Sequence, residues 1–167
     1  MARTKKNQVQ ELRFDEKLVL FKFMQRELGI TDMKLLARQM NLPEEEGINE
    51  STGNTLFIEY FFKQPGCRIP ETKLRVYDEN IRRYTQKIGE NRGGLTWKYF
   101  QYLSLLFTEI YLDRWFSDKE SFQQELTDFL HDEDDRTLGQ IGFQDFDLAK
   151  MNKLAYMSAT GSGKTLI

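Results

Sequence analysis

The residues with the sharpest chemistry are Ser158, Ala159, Thr160, Gly161, Ser162, Gly163, Lys164 and Thr165, followed by Leu166 and Ile167. Gly161 and Gly163 allow successive backbone N–H groups to converge on phosphate oxygens. Lys164 is spaced to reach the β- and γ-phosphates, and the Thr165 hydroxyl to ligate Mg²⁺. Together they read as a phosphate-binding P-loop. Such a loop needs a buried strand before it and a helix N-terminus after it. Leu154-Ala155-Tyr156-Met157 is an apolar run suited to the strand, and a helix can open at Lys164. The sequence therefore predicts the front piece of a larger NTPase.

The usual spacing, G-x-x-x-x-G-K-[ST], wants Gly at position 158, where this chain has Ser. With that variant, Met157 to Thr165 resembles motif I of the superfamily 2 helicases and translocases. It is most similar to the helicase subunits of type III restriction enzymes and their DEAD/DEAH-box-like relatives. The resemblance covers about residues 153–167. It implies ATP and Mg²⁺ as cofactors, ATP-driven movement along DNA, and closure and reopening of two motor lobes. Lys164 and Thr165 are then the catalytic residues, with Thr165 on the metal. It also implies an adenine contact from an upstream aromatic residue plus Gln. Phe143-Gln144 lies about a helix's length before the loop, and Gln144 is the candidate, with Gln140 as alternative. The acidic metal-binding motif and the arginine finger are expected beyond residue 167. The 167 residues alone are expected not to hydrolyse ATP. The implied partners are DNA and a methyltransferase or other defence subunit.

What must position the loop is a chain of 167 residues, 40% hydrophobic and with thirteen Phe, enough for a real core. A net charge of −2 supplies no global attraction to nucleic acid. One Cys and one His exclude an internal disulfide and a Cys/His zinc site within these residues. No apolar stretch follows the basic N-terminus, so no secretory signal is read and a cytoplasmic location is expected.

The fold class expected is mostly α: a helical accessory domain over 1–130, a connector over 131–152, and the first strand and P-loop of a truncated α/β motor domain over 153–167. The first helix is read over 15–28, with Phe14 and Val19 as a hydrophobic staple and a stop at Gly29. Leu20, Met24 and Leu28, with Phe21, mark its buried side. Thr31 is expected to cap a second helix ending before Asn41, with Ile30 and Leu35 as staple. Residues 44–54 are read as a surface loop. The aromatic run 55–64 suits a strand, but lacking a partner strand it is read as a buried helix.

Pro70 opens a long helix to about Glu90, with Leu74, Tyr77, Ile81, Tyr84 and Ile88 in one stripe. Thr96 is expected to cap the central helix, 97–116, with Leu95 and Phe100 as staple. Lys98 and Glu109 bracket only ten uncharged residues within it, against the about twenty needed to cross a bilayer. Ser117 to Glu120 form a capping box before Phe122, Leu126, Phe129 and Leu130.

Other constellations have blander explanations. Lys73, Arg75, Arg82, Arg83, Lys87 and Arg92 could face DNA, but Asp78 and Glu79 sit four residues before Arg82 and Arg83, so a solvated ion-paired face is favoured. Trp97, Tyr99, Tyr102, Tyr111 and Trp115 could stack bases, but at helical spacing they are read as core. The acidic cluster 132–135 lacks the EF-hand pattern, since Arg136 and Thr137 fill its fifth and sixth slots. Glu71-Thr72-Lys73 matches half of a restriction-nuclease motif, without the preceding acidic strand. His131 and Cys67 lack a nucleophile–base partner. A helical interaction module without enzymatic activity, and a P-loop NTPase outside the helicases, remain as alternative functions.

Overall fold

In the computed structural model the described residues are 11–42, 46–90, 93–137, 139–142 and 144–157. They form a short 3-10 turn at Asp15–Lys17 and six α-helices: α1 (Val19–Glu27), α2 (Met33–Met40), α3 (Leu56–Phe62), α4 (Glu71–Gly89), α5 (Tyr99–Ser117) and α6 (Lys119–Arg136). No strand occurs among them; an isolated bridge joins Ile48 to Thr55. The protein is mostly helical, as its composition and periodicity require.

α5 is the centre. It packs against α4, α6 and α2, while α1 lies on α6 and α3 on α4. Tyr102, Leu103, Leu106, Phe107, Ile110 and Tyr111 of α5 are all buried. Each such side chain contributes about 1.5–3 kcal/mol by leaving water. The expected central helix thus forms, but it starts at Tyr99. Trp97 is buried just before it, its indole N–H donating to Thr85 Oγ1 at 2.6 Å. Thr96 is not the cap. The Lys98 N–H bonds instead to the Gln101 side chain at 2.9 Å. Phe100 is exposed, so the staple with Leu95 does not form.

At α2 and α6 the start shifts by a residue, because a neighbouring side chain reaches the free N–H groups better. Asp32 caps α2 by accepting from Lys34 and Leu35 N–H, and Leu35 points outward. Asp118, not Ser117, caps α6 by accepting from Ser121 N–H at 2.9 Å. Phe14 is exposed, so no staple pairs it with Val19. The 3-10 turn intervenes, and α1 begins at Val19. Val19 and Phe23 are more deeply buried in α1 than Leu20 and Phe21.

α1 does stop where expected. Gly29 N–H bonds to Arg26 C=O and Ile30 N–H to Gln25 C=O, closing a Schellman motif with Gly29 at φ 69°. α3 forms as the buried helix, capped by the Thr55 hydroxyl accepting from Ile58 N–H at 3.2 Å. On α4 the stripe holds through Leu74, Tyr77 and Ile81, then rotates: Tyr84 is exposed and Ile88 half-buried. The cause is the 93–97 segment, which packs on Thr85 and lies against Gly89 instead.

α6 continues past 130 to Arg136, so residues 131–136, read as part of a connector, are its last turns. The chain then folds back as a strap along the bundle. Asp134 accepts from the Ile141 and Gly142 N–H groups at 3.0 and 3.2 Å. Ile141 and Met151 are buried in the core, with Phe146, Leu148 and Leu154 packed on it.

Candidate functional site

Ser158, Ala159, Thr160, Gly161, Ser162, Gly163, Lys164 and Thr165 lie outside the described residues, as do Phe143 and Arg92. What the structure does describe is the chain that leads to them. The Tyr111 hydroxyl donates to the Met151 carbonyl at 2.5 Å, and the Gln123 amide donates to the Phe146 carbonyl at 2.6 Å. Asp147 organises a turn by accepting from Ala149 N–H at 2.9 Å. The Tyr156 and Thr108 hydroxyls lie 2.8 Å apart. The strap is therefore fastened to α5 and α6 up to the residue before Met157.

Residues 153–157 are not a buried strand in this structure. They run as irregular chain; Leu154 is half-buried and Ala155, Tyr156 and Met157 are exposed. A strand is held by ladder hydrogen bonds to a neighbour, and no neighbouring strand exists among the described residues. Gln144, the adenine candidate, is exposed on the strap. Gln140 is committed elsewhere, accepting from Leu12 N–H at 3.1 Å.

Four of the five basic residues of α4 have side-chain partners. Arg75 pairs with Glu71, Lys73 with Asp113 at 2.6 Å, and Arg82 with Asp78 at 3.1 Å. Arg83 bonds to Asn80 rather than Glu79 and lies over the Tyr84 ring. Trp97, Tyr102 and Tyr111 are buried, and Tyr99 and Trp115 half-buried, so they are core rather than stacking platforms. Glu71 and Lys73, the half-motif of a nuclease, are both in ion pairs at the start of a helix.

Concavities also occur among the described residues. A cleft of about 270 Å³ lies where α4, α5 and α6 meet, lined in part by Lys73, Tyr77, Asp113, Arg114 and Glu125. Asp113 accepts from Lys73 Nζ and from the Tyr77 hydroxyl at 2.7 Å. Partial burial raises the Asp113 carboxyl, but those two donors outweigh it and hold it below the usual carboxylate range. Burial and the Asp113 charge push the Tyr77 phenol well up. Arg114 spans the cleft floor, bonding Glu125 and the buried Glu27 at 2.7 Å. The cleft's charges are balanced and it holds no activated nucleophile. A wider groove, about 920 Å³, runs between α4 and the 47–48 and 93–97 segments, lined by Phe57, Ile81, Trp97 and Tyr102 with Arg82 and Arg83.

Beneath that groove is the residue the sequence reading misplaced. Asp78 was expected as half of a surface pair; it is fully buried. It accepts from Thr55 N–H, the Thr55 hydroxyl, the Tyr102 hydroxyl at 2.6 Å and Arg82 Nε. Its spacing, four residues after Leu74 and three before Ile81 of the buried stripe, was the available signal. The acidic run 132–135 is structural too: Glu133 bonds Lys22 and Arg136, and Asp134 holds the strap. Among the described residues, no group of His, Cys, Asp or Glu is placed to hold a metal ion. No helix among them is long and apolar enough to cross a membrane. His131 pairs with Asp145 at 2.6 Å, and the half-buried Cys67 thiol, pushed up by burial, packs on the core and donates to the Ile69 carbonyl. No family model, curated protein or solved structure matches the chain.

Proposed function

We propose that this is the N-terminal region of an ATP-dependent DNA helicase or translocase of the superfamily 2 type, a restriction or phage-defence subunit, with Ser158 to Thr165 as its nucleotide loop. The observation that carries this reading is the Ala-Thr-Gly-Ser-Gly-Lys-Thr run after the apolar Leu154 to Met157. The donor set suits a polyphosphate: an ammonium, a hydroxyl and backbone N–H groups freed by glycine. Lys164 neutralises charge on the β- and γ-phosphates, and Thr165 offers a hard oxygen to Mg²⁺. Bound ATP supplies the phosphoryl group whose transfer powers movement. The helical bundle is the accessory domain. The anchored strap supports that role, because Tyr111 and Gln123 hold the approach to the loop against α5 and α6.

The reading requires a motor domain continuing beyond Ile167. The test is steady-state phosphate release from the protein so extended, with and without DNA. Lys164→Ala is expected to abolish DNA-stimulated turnover while leaving the melting temperature unchanged, since its ammonium acts on nucleotide and not on the core. Turnover that survives Lys164→Ala overturns the reading. A non-enzymatic interaction module, favoured by the exposed Phe116 and Met157, would then take its place.

A further inference from the structure

The wider groove is floored by Phe57, Ile81, Trp97 and Tyr102, with Ile48 on one wall. Its volume, about 920 Å³, falls within the range of about 300–1,000 Å³ that small-molecule sites occupy. It follows α4 from Glu79 to Glu90, roughly 16 Å of helix, a length suited to an extended chain. The polar atoms of the floor are spent inside the bundle: the Trp97 indole N–H donates to Thr85, and the Tyr102 hydroxyl to Asp78. What the floor offers a ligand is therefore apolar.

Arg82 supplies the polar group. It gives its Nε to the buried Asp78 at 3.1 Å, and its two Nη nitrogens have no partner among the described residues. Asp78 is itself fixed by Thr55 and Tyr102, so the guanidinium is held at the groove before any ligand arrives. A planar guanidinium with free N–H groups matches the two oxygens of a carboxylate. Glu79 and Glu90 also line the groove, exposed and without an ion pair among the described residues. Their charges oppose a doubly or triply charged ligand more than a singly charged one. We propose that the groove binds a monocarboxylate with an unbranched apolar chain, of the fatty-acid class. Its carboxylate lies on the Arg82 Nη groups and its chain over Phe57, Ile81 and Trp97. The site uses none of Ser158 to Thr165, so it goes beyond the function proposed above and does not depend on it.

The test is an NMR titration of the 167-residue chain with octanoate, read at the two indole N–H resonances. Trp97 reports on the groove. Trp115, near the far end of α5, is the internal control, and Trp115→Phe assigns the pair. The Trp97 resonance is expected to shift saturably while that of Trp115 stays in place. Butyrate, which lacks most of the chain, and 1-octanol, which lacks the charge, should each bind at least about tenfold more weakly. Arg82→Lys keeps a cation beside Asp78 but loses the fork, so octanoate should weaken at least about tenfold while 1-octanol is unaffected. Ile48→Glu, at a wall position 55% exposed and so safe for folding, should abolish the Trp97 shift. No saturable shift, equal shifts at both indoles, or 1-octanol binding as tightly as octanoate overturns the site. Octanoate binding that is unchanged by Arg82→Lys, or by Ile48→Glu, overturns it as well. Inorganic phosphate moving Trp97 as strongly as octanoate would show a general anion site and reject the monocarboxylate.

Discussion

The Asp78 carboxylate caps a helix it does not belong to. One oxygen accepts from the Thr55 backbone N–H at 3.0 Å and the other from the Thr55 hydroxyl at 2.5 Å. The Thr55 hydroxyl in turn accepts from Ile58 N–H, so α4 holds the first turn of α3 through two shared atoms. Tyr102 of α5 donates to the same carboxylate, its phenol pushed far up by burial and by the Asp78 charge. Three helices therefore meet on one buried side chain.

Asp78→Ala is expected to cost about 3–5 kcal/mol, because it strands Thr55, Tyr102 and Arg82 without their acceptor. Chemical denaturation would measure it. Tyr102→Phe, which removes one donor and leaves the carboxylate with three, should cost about 1 kcal/mol. Equal losses for the two variants would show that Asp78 is not the hub.

Gly29 is constrained twice. Its φ of 69° closes the Schellman motif, and a Cβ there would sit 2.6 Å from the Pro65 carbonyl oxygen and 2.7 Å from Cys67 N. The 65–67 loop is backbone at the point of contact and has little room to yield. Gly29→Ala should cost more than the about 1 kcal/mol of left-handed strain alone. A thermal melt within a degree of the parent protein would refute this.

Tyr111→Phe keeps the ring that packs on Phe122 and removes the bond to the Met151 carbonyl. The global cost should be about 1 kcal/mol. The local effect is the more diagnostic: hydrogen exchange across 146–157 should accelerate while α4 and α5 stay protected. Uniform acceleration across all helices would mean that the strap is not separately anchored.

His131 and Asp145 tie α6 to the strap in a pH-dependent way. The hydrogen bond to Asp145 raises the imidazole above its ordinary 6.5, with Asp128 and Asp135 adding to the effect. A raised value in the folded state means the pair contributes fully below pH of about 6.5 and is lost as pH rises through the raised value. The side chain is exposed, so the effect is small and screened by salt. An NMR titration of the imidazole should show the upward shift, and Asp145→Asn should reduce it. An unchanged titration in that variant would exclude the pairing.

Much of the bundle is written in the order of residues. The alternation of apolar positions in 70–90 and the nearly continuous apolar run in 97–116 require two long packed helices, since no other arrangement buries both. Gly29 and Pro70 end and begin helices through their own backbone constraints. The nucleotide role proposed for Ser158 to Thr165 rests on residue type at fixed spacing alone, and those residues lie outside the described ones. Choices between near neighbours were settled only by packing. Asp32 over Thr31 and Asp118 over Ser117 depend on which oxygen reaches the free N–H groups once the helices are in place.

The burial of Asp78, the turning of the α4 stripe at Tyr84, and the continuation of α6 into 131–136 also depend on segments far away in sequence. Thr55 and Tyr102 draw Asp78 inward, the 93–97 segment covers Thr85, and Lys22 of α1 steadies Glu133 at 2.8 Å. Local periodicity cannot encode such partners. The path of the strap is likewise a tertiary outcome: the carbonyls of Phe146 and Met151 have no pattern of their own, and take their places because Gln123 and Tyr111 present donors to them.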